Sequence, residues 1–233
     1  MFRKGVRHGL PIGLGYLSVS FAFGIQAVVL GLTPWEAVLI SMTNLTSAGQ
    51  LAGIELMATE APLVEMALTQ LTINMRYALM SLSLSQKMGE DMNTGKRMFF
   101  AFGNTDEIFA VASAQRGKLH FPYLTGLMLI PYFGWAGGTL LGAVAGSLLP
   151  EFVRTALGIA IYGMFLAVIL PAARRERAVC VVVGIAALLS IAFRYLPGLC
   201  EISGGYRMIL CAVLASFAGA LLFPVATEEE ADG

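Results

Sequence analysis

Four polar or charged side chains interrupt long apolar stretches of this sequence. Asn74 and Arg76 lie in the middle of one stretch, and Asp106 and Glu107 lie in the middle of another. A charge at the centre of a bilayer costs about 2.5–3.5 kcal/mol, so it persists mainly where it faces a partner or a water-filled cavity. A carboxylate there can bind an ammonium group or carry a proton, and a guanidinium can bind a carboxylate. These residues are therefore candidates for a binding or proton-transfer site.

A third polar segment carries hydroxyl, amide and glycine residues instead of charges. Its candidate residues are Asn44, Ser47, Gly49 and Gln50. If a half-helix begins here, its first N–H groups can hold a carboxylate. Close packing of small residues between helices explains the same composition without a ligand. Both explanations stay open from the sequence alone.

The charged candidates also have structural explanations. Asn74 can hydrogen-bond between helices, and the Arg76 side chain can extend toward the membrane surface. Arg76 is roughly 10 residues, or about 15 Å, from either end of its span, which makes that extension difficult. Asp106 and Glu107 follow Thr105, and this order is typical of a helix start with an N-cap and carboxylates in the first turn. A helix start at this depth is itself a broken helix, so capping and binding are compatible.

The elements that position these residues are membrane-spanning helices. Of the 233 residues, 57% are hydrophobic and 13% are charged, against about 25% charged residues in ordinary globular domains. Apolar runs of about 20 residues can cross a bilayer as helices, whereas barrel strands would alternate over about ten residues. The sequence predicts an all-α polytopic membrane protein with six full spans at residues 8–32, 63–86, 120–149, 155–173, 178–196 and 205–224.

Two further segments, residues 35–58 and 97–115, mix glycine and polar residues into an apolar background. We predict that both are re-entrant or broken, with eight full spans as the alternative. Re-entrant segments place 11 Lys and Arg residues inside and 3 outside, whereas eight spans place 8 inside and 6 outside. Positive charge concentrates on the cytoplasmic side, so the first arrangement is favoured. Both arrangements place both termini in the cytoplasm.

Composition and missing motifs exclude several classes of protein. Lys and Arg total 15, as do Asp and Glu, and the lack of a basic excess argues against nucleic-acid binding. The sequence has no P-loop, no HExxH and no GxSxG motif. We expect neither an enzyme nor a cofactor or metal. A single transmembrane domain is predicted for residues 1–227, with an acidic disordered tail at 228–233.

Asn74 to Ser81 followed by Thr105 to Ala110 is the most distinctive pattern in the sequence. It is accompanied by three further stretches, at Gly9–Gly24, Ser41–Ala52 and Trp135–Gly142. Together these stretches resemble the AzlC family of branched-chain amino-acid exporters, in the same order over roughly residues 5–225. Two positions differ from the family pattern: Tyr77 stands where a histidine or similar residue is usual, and Ser47 replaces a glycine.

The resemblance implies a transporter that exports branched-chain or other hydrophobic amino acids across the cytoplasmic membrane. We expect it to be a secondary transporter coupled to protons. It also implies a small membrane partner of the AzlD type. We expect N–H groups near Ser47–Gln50, with Arg76, to bind the substrate carboxylate. Asp106 or Glu107 is expected to bind the ammonium group and to carry the coupling proton. The alternatives are an uncoupled channel for small zwitterions and a structural subunit of a transport complex.

Overall fold

Helices form the regular structure of this protein. A computed structural model describes residues 1–150, 152–153, 162–163, 166 and 169–224. Within these ranges there is no β-strand, and residues 169–175 are helical without belonging to a named helix. The named helices are α1 (Phe2–Val29), α2 (Pro34–Thr43), α3 (Ser47–Ala58), α4 (Leu63–Ser85), α5 (Thr94–Phe102), α6 (Asp106–Ser113), α7 (Phe121–Leu148), α8 (Arg177–Tyr195) and α9 (Gly204–Leu222).

Several of these helices are long enough to cross a membrane. Among the described residues, α1, α7, α8 and α9 are also apolar enough to do so. Helix α4 has 23 residues and is therefore about 34 Å long, but its polar residues make it less apolar than these four. The all-helical membrane fold predicted from the sequence is confirmed. The span predicted at 155–173 lies mostly outside the described residues.

Each of the two segments predicted to be re-entrant or broken is split into two helices. Residues 44–46, here called the first break, separate α2 from α3, and residues 103–105, the second break, separate α5 from α6. Asn44 has extended backbone angles (φ −141°, ψ 93°), and so does Thr105 (φ −88°, ψ 172°). The breaks are thus confirmed, while the choice between crossing and re-entry stays a prediction.

Helix α2 begins with the capping pattern that its sequence predicts. The Thr33 hydroxyl accepts the backbone N–H of Glu36, and the Glu36 carboxylate accepts the backbone N–H of Thr33 at 2.7 Å. Pro34 occupies the first helical position, where its missing N–H costs no hydrogen bond. Glu36 therefore stabilises a helix start.

Glycines allow α1 and α7 to pack backbone against backbone. A Cβ atom at Gly142 would overlap the carbonyl oxygen of Phe21, and similar overlaps arise at Gly134 and Gly138. By contrast, a Cβ at Gly137 meets nothing within 4 Å. Gly134, Gly138 and Gly142 therefore lie on the face of α7 that packs against α1, and Gly137 lies on another face of α7.

The loop between α4 and α5 is attached to the start of α7 by Asp91. Its carboxylate accepts the Phe121 backbone N–H at 2.9 Å and lies 2.8 Å from Nδ1 of His120. The backbone hydrogen bond from Phe121 lowers the pKa of the Asp91 carboxyl below its usual value. Asp91 is therefore ionised at neutral pH and satisfies an N–H group in the first turn of α7.

The chain divides into two compact units. One comprises Met1–Ala58 and Ile73–Tyr162, and the other comprises Thr59–Thr72 and Gly163–Gly233. In the second unit, the buried Glu65 accepts hydrogen bonds from the Ser203 hydroxyl at 2.6 Å and the Gly205 N–H at 2.7 Å, so it caps the start of α9. The single domain over residues 1–227 stays a prediction, and the acidic tail at 228–233 lies outside the described residues.

Candidate functional site

A cavity of about 170 Å³ lies where the two breaks meet in the first unit. Residues 43–46 line it from the first break, Asn74 and Tyr77 line it from α4, and residues 101, 102 and 104 line it from the second break. None of these described lining residues carries a charge at neutral pH. The cavity is therefore polar but electrically neutral.

Gln50 holds the first break in place. Its side chain is 1% exposed, and its amide nitrogen donates to the carbonyl oxygens of Asn44 at 2.5 Å and Ile40 at 3.2 Å. Its amide oxygen accepts the indole N–H of Trp135 at 3.0 Å. The Asn44 and Ile40 carbonyls also accept the backbone N–H groups of Thr46 and Asn44, so Gln50 adds a further donor to two carbonyls at the end of α2.

Thr46 connects the start of α3 to helix α4. Its hydroxyl oxygen accepts the Gly49 N–H at 3.4 Å, which makes it the N-cap of α3. The Tyr77 hydroxyl donates to the same oxygen at 3.2 Å, and Arg76 donates to the Tyr77 hydroxyl at 3.2 Å. Tyr77, which departs from the family pattern, therefore joins Arg76 to the wall of the cavity.

The second break is attached to α1 through Tyr16. The Tyr16 hydroxyl is hydrogen-bonded to the hydroxyl of Thr105 at 2.6 Å and also to the Glu107 carboxylate. The Tyr16 ring packs edge-on against Trp135 with 5.1 Å between ring centroids. Thr105 precedes α6 as predicted, but its hydroxyl makes no capping hydrogen bond. That prediction of side-chain capping is wrong because Tyr16 takes the hydroxyl instead.

Arg76 and Asp106 form an ion pair. One guanidinium nitrogen of Arg76 lies 3.0 Å from a carboxylate oxygen of Asp106, and both side chains are about half exposed. The pair joins the middle of α4 to the first residue of α6. Two charges that the sequence places separately within apolar segments thus neutralise each other.

The structure brings most of the predicted site residues to this region but gives them different positions. Asn44 and Asn74 line the cavity. Gln50 is buried behind the first break. Ser47 and Gly49 belong to the first turn of α3, and Arg76, Asp106 and Glu107 form contacts beside the second break. The predicted roles in binding and proton coupling stay predictions.

Four residues around the cavity were missed by the sequence-based reasoning: Tyr16, Thr46, Asn104 and Trp135. Tyr16 and Trp135 each carry one polar group on a large apolar ring, and such groups usually find a partner when buried. The polar groups of Tyr16 and Trp135, each within an otherwise apolar span, could therefore have identified these two residues from the sequence. Asn104 directly precedes Thr105, where the second part of the distinctive pattern begins. Nothing in that pattern indicated a role for Asn104 itself.

The described residues contain no cluster of three or more His, Cys, Asp or Glu side chains that could hold a metal ion. The chemistry available around the cavity consists of amide and hydroxyl hydrogen bonding, helix ends, and one ion pair. This arrangement suits the recognition of a small polar molecule.

The family model described as AzlC protein matches residues 11–149. The chain is 31% identical to the inner membrane protein YgaZ of Escherichia coli strain K12 over 196 residues, which cover 81% of this chain and 80% of that protein. It is 37% identical over 178 residues to a membrane protein of Archaeoglobus fulgidus, covering 73% of this chain and 75% of that protein.

A further relative is the branched-chain amino acid transport protein AzlC of Bacillus subtilis. The two chains are 26% identical over 176 residues, which cover 69% of this chain and 66% of that protein. No solved structure matches the chain.

The fold and the cavity define the class of this protein as a polytopic α-helical membrane protein with two broken helices. The chain belongs to the AzlC family, whose model covers more than half of it and includes both breaks and every predicted site residue.

Proposed function

We propose that this protein is a secondary transporter that exports branched-chain or other hydrophobic amino acids across the cytoplasmic membrane. Its membership of the AzlC family supports this, as does its similarity to the Bacillus subtilis protein described as a branched-chain amino acid transport protein. The observation that carries the proposal is the neutral polar cavity between the two helix breaks.

A cavity of this kind suits a zwitterion. At a helix break, the end of one helix offers carbonyl oxygens with partial negative charge and the start of the next offers N–H groups with partial positive charge. Transporters use such discontinuous helices to bind charged substrate groups at membrane depth. Leu45 and Phe102 add apolar surface to the wall, which suits a hydrophobic side chain.

The ion pair beside the second break provides a means of coupling to protons. In the proposed cycle, protonation of Asp106 removes the partner of Arg76. The resulting unpaired guanidinium lies one hydrogen bond from Tyr77, which lines the cavity. A positive charge there disfavours the substrate ammonium group, so proton and substrate compete, as antiport requires. Glu107 is the second candidate for this role because its partner, the Tyr16 hydroxyl, is neutral.

The proposed complex also contains a small membrane subunit of the AzlD type. This part of the proposal rests on the family resemblance. It is tested directly by comparing transport with and without that subunit.

The test is efflux of labelled isoleucine from preloaded cells with an imposed proton gradient. The arms are this chain alone, the chain with its small partner, and the pair carrying Asp106→Asn. Asp91→Asn serves as the matched control because it makes the same chemical change at a carboxylate that caps α7. We expect uphill efflux only with the partner, a loss of about tenfold or more in Asp106→Asn, and little change in Asp91→Asn.

Each departure from this pattern contradicts a different part of the proposal. If no arm exports isoleucine although the proteins reach the membrane, this substrate assignment is wrong. Downhill equilibration without uphill efflux would instead identify a channel. Full activity of Asp106→Asn with an unchanged pH dependence would remove Asp106 from proton coupling.

A further inference from the structure

Asn104 has a buried acceptor that none of the described residues satisfies. The side chain lies in the second break and is 3% exposed. Its amide nitrogen donates to the Ser81 hydroxyl at 3.2 Å, whereas its amide oxygen has no hydrogen-bond partner among the described residues. Buried polar atoms in proteins are nearly always paired, so this oxygen indicates a place where a ligand completes the structure.

The oxygen belongs to a residue that lines the cavity between the breaks. The amide nitrogen already has the Ser81 hydroxyl as a partner, whereas the amide oxygen, an acceptor, has none among the described residues. The complementary ligand group is an N–H or O–H donor, and an ammonium group supplies three such donors.

The carboxylates nearby already have partners. Asp106 is paired with Arg76, and Glu107 is bonded to Tyr16. The sequence-based expectation that one of them binds the substrate ammonium would add a second partner to a carboxylate that already has one. Asn104 offers an acceptor oxygen that has no partner among the described residues.

The rest of the cavity restricts the class of ligand. With no charge among the described lining residues, the cavity gives no counter-ion to a ligand with a net charge, so a net-neutral molecule is favoured. Thr46 brings the start of α3 to the same wall, and the first N–H groups of a helix bind carboxylates. A ligand that carries both a donor and a carboxylate is a zwitterion.

The volume of the cavity restricts the size of the ligand. An engineered cavity of about 150 Å³ holds benzene, which has six heavy atoms, and this cavity is about 170 Å³. A molecule of fewer than roughly ten heavy atoms is therefore accommodated. Short aliphatic α-amino acids meet the conditions of charge, hydrogen bonding and size together.

We propose that Asn104 is a substrate-binding residue whose amide oxygen accepts a hydrogen bond from the ammonium group of a short aliphatic amino acid. This rests on the proposed function, since it deepens the description of the same transport site. It assigns the recognition of the ammonium group to a neutral amide and leaves Asp106 paired with Arg76 in the same state.

The test measures binding to the full-length protein, purified in lipid nanodiscs with its small partner where efflux requires it. The probes are L-valine and 3-methylbutanoate, which is valine without its amino group. In Asn104→Leu we expect the affinity for valine to fall by about tenfold to a hundredfold, because a hydrogen bond to a charged group is lost. The affinity for 3-methylbutanoate should stay within about twofold, so the preference for valine falls.

Two further variants keep the test decisive. Ser81→Ala is the matched control, because it removes the partner of the Asn104 amide nitrogen while leaving the amide oxygen, and it should largely retain the preference for valine. Asn104→Asp keeps an acceptor oxygen and should retain or strengthen that preference. This second variant tests the proposal if Asn104→Leu fails to elute as a monodisperse protein.

Two results overturn the proposal. If wild-type protein prefers valine and Asn104→Leu keeps that preference, Asn104 does not bind the ammonium group, while the proposed transport function stands. If Asn104→Asp loses the preference for valine, an acceptor oxygen at this position does not bind the ammonium group. A wild-type protein that binds neither probe and exports no isoleucine overturns the proposed function as well, so the two failures are distinguishable.

Discussion

The two helix breaks are built from different chemistry. The first break is held by neutral amide, indole and hydroxyl groups, with Gln50 at the centre. The second break is flanked by two carboxylates, and these are satisfied by Arg76 from α4 and Tyr16 from α1. Both breaks line one cavity, so the difference lies in how each is held.

The two breaks therefore differ in how their contacts respond to pH. The contacts of the first break do not depend on protonation, whereas those of the second break do. The hydrogen-bonding groups of Gln50 and Trp135 do not titrate in the physiological range, so the first break keeps the same partners as pH changes. The contacts of Asp106 and Glu107 depend on the charge of a carboxylate. A transporter needs both properties, because a stable binding site must coexist with a part that responds to the driving ion.

The largest effect on stability is expected from replacing Gln50, whose side chain holds the first break in place. Gln50→Leu leaves the buried Trp135 N–H without its partner, at a cost of about 1–3 kcal/mol. It also removes one of the hydrogen bonds to each of two helix-end carbonyls, at about 0.5–1.5 kcal/mol each. We expect a loss of about 4 kcal/mol, which corresponds to a decrease of about 10 °C in the unfolding midpoint. The measurement is thermal unfolding of the detergent-solubilised protein.

The matched control for this prediction is Gln86→Leu. It makes the same chemical change at an exposed position after α4 and should shift the midpoint by less than about 1 °C, since exposed substitutions have little effect. A Gln50→Leu protein as stable as Gln86→Leu would show that the first break does not depend on this amide.

A smaller effect is expected from separating the two helices that carry Tyr16 and Trp135. In Gly142→Ala the added methyl group overlaps the Phe21 carbonyl, so α1 and α7 must move apart. Overpacking of this kind costs about 1–3 kcal/mol. Tyr16 in α1 is hydrogen-bonded at the second break, and Trp135 in α7 is hydrogen-bonded to Gln50 at the first break. Moving the two helices apart should therefore weaken both breaks. Thermal unfolding and isoleucine efflux should therefore decline in parallel.

Gly137→Ala provides the comparison on the same helix. Its methyl group meets nothing within 4 Å, and alanine is about 1 kcal/mol more favourable than glycine in a helix. The unfolding midpoint should stay the same or rise. Equal destabilisation by the two substitutions would contradict the close packing of α1 and α7 at Gly142.

The smallest effect is expected at the second break. Tyr16→Phe removes a hydroxyl from Thr105 and Glu107 but keeps the aromatic ring against Trp135. Glu107 is exposed, so water can replace the hydroxyl there, and we expect a loss of about 1–2 kcal/mol in unfolding free energy. Tyr195→Phe, at an exposed tyrosine, is the control. A larger loss in Tyr16→Phe than in Gln50→Leu would reverse the proposed difference between the breaks.

Much of the fold follows from local properties of the sequence. Long apolar runs predict spanning helices because the cost of burying charge in lipid acts on each segment separately. The breaks could be predicted because Asn44 and Gly103 are unfavourable within helices and polar residues surround them. The start of α2 depends on Thr33, Pro34 and Glu36 alone, because a capping box involves only neighbouring residues.

The pairings within the site could not be predicted in the same way. Arg76 and Asp106 are thirty positions apart in the sequence, and no local rule determines which charges within apolar segments meet. The hydroxyl of Thr105 was expected to cap α6, but Tyr16, which is 89 positions away, takes it. Where a tertiary partner competes with a local one, the sequence of the segment alone does not reveal the outcome.

The backbone contact between α1 and α7 also sets an order of events during biosynthesis. Roughly 90 residues separate the end of α1 from the start of α7, and ribosomes add about 5–20 residues per second. Helix α1 therefore enters the membrane about 5–20 s before its principal packing partner exists. During that interval the face that later meets α7 is open to lipid or to an insertion factor. The breaks, which depend on Tyr16 and Trp135, reach their final form only after α7 has arrived.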